Sequence, residues 1–160
     1  VRARQGDRAV LNDVLARVPS GDYGVGDAWV IGRIPGAADS IRARFLAAPT
    51  PELRVRWLTL LTFSADTASI PLLARVYAAP DSFDVPPRYG SRASDALLWI
   101  GTRGSLQALL DARERARARG TYADPSLARG GYDFLANDSS AVISRTGRWL
   151  TEWLRELPPR

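Results

Sequence analysis

Pro51-Glu52-Leu53-Arg54-Val55-Arg56-Trp57-Leu58-Thr59-Leu60-Leu61 decides the fold, because its pattern of residue types returns twice further along the chain. Pro87-Arg88-Tyr89 with Ala93, Ala96 and Leu97 restates it 36 residues later, and Pro125-Ser126-Leu127 with Gly131, Phe134 and Leu135 restates it after another 38. Each copy places proline first, an apolar residue third and an apolar pair tenth and eleventh. Those positions, with the seventh, fall on one face of a helix of 3.6-residue period. Proline suits the first helical turn, where its missing N–H has no partner to lose. A helical pattern that recurs every roughly 30–40 residues marks a stacked array, since one helix pair cannot cover its own apolar face. Such an array offers a binding surface without naming what is bound.

Composition bounds the rest. A chain of 160 residues with 46% hydrophobic and 24% charged residues can bury a core as a single domain. No apolar run approaches the roughly 20 residues of a membrane-spanning helix. The net charge is +5 and the isoelectric point about 10.4, with every cation an arginine. Residues 1–80 carry 10 Arg against 7 acids and residues 81–160 carry 12 against 10, so neither half is a basic arm. Arginine without lysine reads first as a genome-wide codon bias and second as a preference for carboxylate or phosphate partners, which its planar fork suits. The absence of Cys and His excludes the usual zinc sites, thiol nucleophiles and Ser-His-Asp or Cys-His machinery. A sequence that begins at Val1 and contains no methionine reads as a processed or truncated product, with a periplasmic or membrane-extrinsic location as the expectation.

Taken in order, residues 6–18 read as a helix with Val10, Leu11, Val14, Leu15 and Val18 as its apolar stripe, broken by Pro19-Ser20-Gly21-Asp22. Ala28-Trp29-Val30-Ile31 through Ile34 reads as a buried helix. Ile41, Phe45 and Leu46 form the inner face of the next. After the unit at Pro51, the Ser64-Ala65-Asp66 turn precedes a helix with Ile70, Leu73, Val76 and Tyr77 inside. A last helix runs from about residue 139 to 157 with Val142, Trp149, Leu150, Trp153 and Leu154 along it, stopped by Pro158-Pro159. The expected core includes Leu53, Trp57, Leu60, Leu61, Leu97, Ile100, Leu106, Leu110 and Leu135.

With Pro51-Glu52-Leu53-Arg54 opening one unit and Asp124-Pro125 turning into another, the pattern resembles the HEAT repeat family and its armadillo-type relatives. Residues 22–137 carry the resemblance, although Trp57 and Gly131 stand where a small alanine is usual. It implies an all-α fold, a right-handed α-solenoid of about four HEAT-like helix pairs plus a C-terminal capping helix. The units expected are about 5–35, 36–64, 66–101 and 102–137, with the cap at 138–158, all in a single domain 1–160.

Function is expected where the repeat is irregular. The turn enlarged to Pro80-Asp81-Ser82-Phe83-Asp84-Val85-Pro86, with Arg88 and Tyr89 after it, has the residue types enriched at interface hot spots. The alternative is a rigid spacer whose Phe83 and Tyr89 tuck back into the repeat. Arg113-Glu114-Arg115-Ala116-Arg117-Ala118-Arg119 before Gly120 rings a helix end with cations, which the helix macrodipole favours. In the last helix Trp149 and Trp153, beside Arg148 and Arg155, serve either as a docking ridge or as the seal of the final repeat.

The resemblance implies a non-catalytic protein–protein interaction scaffold, with Phe83, Arg88, Tyr89, Arg148, Trp149, Trp153 and Arg155 as partner-binding residues and other protein subunits as partners. It extends to an extrinsic accessory subunit of a bacterial membrane-associated, respiratory or photosynthetic complex, with no transmembrane segment of its own. No catalytic, cofactor or metal residues are assigned. The alternatives are a HEAT-like nucleic-acid-binding protein or DNA glycosylase, with Arg54, Arg56, Arg92, Arg129, Arg145 and Arg148 on phosphates, and a HEAT-like bilin lyase. A charge of +5 diluted by 17 acids argues against nucleic acid.

Overall fold

The structure is a computed structural model that describes residues 8–23, 28, 30, 31 and 34–120. Among these residues the fold is all-helical and contains no strand. Six α-helices follow in order: α1 (Arg8–Arg17), α2 (Ala37–Ala47), α3 (Pro51–Ser64), α4 (Ile70–Ala78), α5 (Pro87–Ile100) and α6 (Arg103–Ala118). Short 3-10 turns at Val18–Ser20, Thr67–Ser69 and Pro80–Phe83 join them. Residues 28, 30 and 31 are helical, and Ala28, Ile31 and Ile34 enter the core. None of the described helices is long and apolar enough to cross a membrane.

Local chemistry sets the helix boundaries. Thr50 begins α3 by accepting the Leu53 N–H at its side chain, with Pro51 in the first turn. The helix ends on Ala65, whose φ of 49° lies in the left-handed region that normally goes to glycine. Gly101 ends α5 with φ 64° at little steric cost. Thr102 and Ser105 then open α6 with a reciprocal capping box.

Packing runs through a few pairs. α3 lies against α2 and α5, α4 against α5 and α6, and α5 against α6. Arg54 near the start of α3 reaches Phe83 and Asp84 just ahead of α5, while Phe63 near its end meets Trp99 near the end of α5. Those two helices therefore run side by side in one direction. Likewise Arg42 of α2 pairs with Asp66 and donates to the Ser69 hydroxyl ahead of α4, and the Phe45 ring lies 6.2 Å from Phe83, which follows α4. α2 and α4 are thus aligned in the same sense. The core between them gathers Ile41, Phe45, Trp57, Leu58, Leu60, Leu61, Leu73, Val76, Leu97, Leu106 and Leu109. On α5 the buried face carries small residues, Gly90, Ala93, Ser94 and Ala96, beside Leu97, which lets its neighbours approach closely. A Cβ on Gly90 would stand 3.3 Å from the Pro80 ring.

Several expected core positions differ. Leu46 is 57% exposed rather than inward-facing. The buried stripe of α2 is Ala37, Ile41 and Phe45, at spacings of four, and Leu46 sits about 100° round the helix from Phe45. Leu53, Ile100 and Leu110 are half-buried, packed at the margin of the core. Leu110 lies one residue beyond the stripe of Leu106, Leu109 and Ala112, and the same rotation turns it outward. Arg113 falls inside that stripe and is only 3% exposed, so the cations of α6 do not ring its end as expected. Leu135 lies outside the described residues.

Candidate functional site

The enlarged turn, read either as a contact loop or as a rigid spacer, is a folded 3-10 turn bound to its neighbours. Pro80 and Val85 are buried, and Phe83 is half-buried against Phe45. Arg54 fixes the turn with a fork of donors, reaching the Phe83 carbonyl at 2.7 Å, the Asp84 carboxylate at 2.6 Å and the Ala48 carbonyl. Tyr89 is half-buried against the core, and the exposed Arg88 lies over its ring at 4.8 Å. Both aromatic residues therefore tuck back, each leaving part of its surface to solvent. Arg148, Trp149, Trp153 and Arg155 lie outside the described residues, as do Arg129 and Arg145.

Phe83 is brought together with residues that the sequence reading had not joined to it. The guanidinium of Arg75 lies 5.3 Å from the Phe83 ring centre, an attraction of about 0.5–1 kcal/mol at an exposed site. Beside this pair opens a groove of about 530 Å³, lined by Arg75, Ala78, Ala79, Ser82 and Phe83 from the end of α4 and its turn, and by Arg115, Ala118 and Arg119 from the end of α6. Two helix C-termini thus meet in one groove lined by three arginines, three alanines, Ser82 and Phe83. The missed signal was a second repeat. Arg44-Phe45-Leu46-Ala47-Ala48-Pro49 and Arg75-Val76-Tyr77-Ala78-Ala79-Pro80 share Arg, Ala, Ala and Pro in register. Each repeated arginine is laid on a ring, Arg44 over Trp57 at 5.5 Å and Arg75 over Phe83.

The same edge has a consistent charge pattern. α1, α2, α4 and α6 each end on basic residues in their last turn, whereas α3 and α5 have none there. Some of these charges are satisfied within the fold: Arg17 pairs with Asp13 and Arg117 with Glu114. Arg75, Arg115 and Arg119 have no ion pair with any described residue.

Of the arginines assigned to phosphates on the nucleic-acid alternative, Arg54 and Arg56 are committed elsewhere. Arg54 is held as described, and Arg56 donates to the carbonyls of Val18 and Pro19 beside Gly21. Tyr23 closes that corner, its hydroxyl donating to the Arg56 carbonyl at 3.4 Å. Burial pushes the Tyr23 phenol above its ordinary range, with Arg56 and Arg92 pulling it the other way. A second exposed feature lies on the layer formed by α3 and α5, where Trp99 is 53% exposed and meets Phe63 edge-on at 6.4 Å. Compared with protein-family models, curated proteins and solved structures, the chain gives no match.

Proposed function

We propose that the chain is a HEAT-like α-solenoid that serves as a non-catalytic protein–protein interaction scaffold. The solenoid part is supported by the aligned pairs α3 with α5 and α2 with α4, by the 36-residue return of the proline-led helix, and by the Arg-Ala-Ala-Pro register at Arg44 and Arg75. In such an array outer helices of successive units stack on one another, and so do inner helices. On this reading α2, α4 and α6 are the outer layer and α3 and α5 the inner one.

The scaffold part rests on one observation. The arginines Arg75, Arg115 and Arg119, with no ion pair among the described residues, line one open groove together with Phe83. Arginine and aromatic side chains held rigidly at a surface are the types that dominate interface energetics. Here the fold has already ordered Phe83 and Arg75, so a partner meets them at reduced entropic cost. Affinity isolation of the full chain from its native host, in a nuclease-treated lysate, tests the reading. A protein partner at fixed stoichiometry is the expected result, and recovery of nucleic acid alone would refute it.

A further inference from the structure

We infer that the groove between the ends of α4 and α6 binds an acidic peptide segment of the partner, one that places carboxylates on either side of an apolar side chain. This deepens the scaffold reading and rests on it. The groove is lined by Arg75, Ala78, Ala79, Ser82 and Phe83 at the end of one helix and its turn, and by Arg115, Ala118 and Arg119 at the end of the other. Three like charges drawn to one groove repel one another. The helix macrodipole rewards a cation at each C-terminus but gives no reason for charges of two helices to converge. An anion between them removes that repulsion, and a carboxylate matches the guanidinium fork in two parallel hydrogen bonds.

The apolar part of the lining selects the class of anion. Methyl groups and a ring face fit an aliphatic or aromatic side chain, and the Ser82 hydroxyl on the rim can donate to or accept from a peptide backbone. A nucleic-acid backbone needs many exposed cations in a row for phosphate binding. This edge does not supply them, because Arg54, Arg56 and Arg117 are engaged within the fold and Arg113 is buried. At about 530 Å³ the groove is large enough for more than one side chain, which suits a segment better than a single small anion.

The test uses the full chain, the Nε–Hε signals of its arginines in NMR spectra, and a short synthetic peptide alternating glutamate and leucine. Comparators are the same peptide with glutamine for glutamate and a single-stranded oligonucleotide of equal charge. The expected result is a saturable shift of the Arg75, Arg115 and Arg119 signals with the acidic peptide only, weakened by roughly tenfold or more in Arg115→Glu/Arg119→Glu and unchanged in Arg103→Glu at the far end of α6. Arg103, Arg115 and Arg119 are exposed, so each variant should stay folded, with charge reversal at the α6 C-terminus lowering the thermal midpoint only slightly through the lost macrodipole interaction. Shifts spread evenly over all exposed arginines, no saturation, or tighter binding of the oligonucleotide would overturn the assignment. If an isolated protein partner still binds the charge-reversed variant, the groove assignment fails and the scaffold reading stands. If the peptide binds in the groove but no partner protein is recovered, the scaffold reading fails and the groove stands.

Discussion

Arg54 in the first turn of α3 holds Asp84 at 2.6 Å and the Phe83 carbonyl at 2.7 Å, and so ties the turn ahead of α5 to the neighbouring helix. The Arg54 side chain is 15% exposed and Asp84 72%, so the two partners should not be equally costly to replace. Removing Arg54 leaves the Phe83 and Ala48 carbonyls without their donor, while the exposed Asp84 carboxylate turns to solvent. Arg54→Ala should cost about 2–4 kcal/mol. Asp84→Asn keeps a residue tolerant of the left-handed φ of 48° and should cost less than about 1 kcal/mol. Urea denaturation of both variants decides; equal losses would show that the turn is not held by this fork.

Two tryptophans separate core from surface. Trp57 is 2% exposed among Leu58, Leu60 and Leu61, and Trp57→Ala should destabilise by roughly 3–5 kcal/mol. Trp99, more than half exposed, touches Phe63 edge-on, and Trp99→Ala should cost no more than about 1 kcal/mol. A reversal of that order in thermal melts would mean that α3 is rotated from the face described.

Ala65 invites a stabilising change. It is exposed and sits at φ 49°, where a Cβ is strained by about 1–2 kcal/mol. Glycine removes that strain but gives back about 0.4–1 kcal/mol through the freer unfolded chain. Ala65→Gly should therefore raise stability by about 0.5 kcal/mol, read as a small rise in the denaturation midpoint. A loss would show that the helix end does not require a left-handed residue.

Tyr23 gives the protein a pH dependence in the alkaline range. Its phenol is raised above 10.0 by burial, so the folded chain keeps a proton that the unfolded chain has begun to lose. The associated stability is intact below the unfolded pKa and declines as pH rises through the folded one. Stability measured against pH should thus fall more steeply above the ordinary tyrosine range in the parent than in Tyr23→Phe. Parallel curves would remove Tyr23 as the cause.

The helices were legible because amphipathic period, proline at the first turn and glycine at the end each act locally. α3 and α5 begin on the prolines that the repeat marked, and α5 stops at Gly101. The exposure of Leu46 and the marginal burial of Leu110 were not legible, since a rotation of one residue depends on which neighbour the helix packs against. The same limit applied to the candidate site. Phe83 was singled out for its residue type, but its setting required α4 and α6 to bring Arg75 and Arg115 beside it, and these lie 40 residues apart. Only the shared Arg-Ala-Ala-Pro register at Arg44 and Arg75 could have pointed there. Arg54 was legible only as one of several arginines able to meet a phosphate, because nothing in its immediate sequence shows that Asp84 will face it.

The scaffold claim is tested most directly by native mass spectrometry of the full chain isolated from its host after nuclease treatment. The account predicts one complex whose mass equals this chain plus a defined number of partner polypeptides. A mass corresponding to the chain alone, or to the chain with bound nucleic acid, would contradict it.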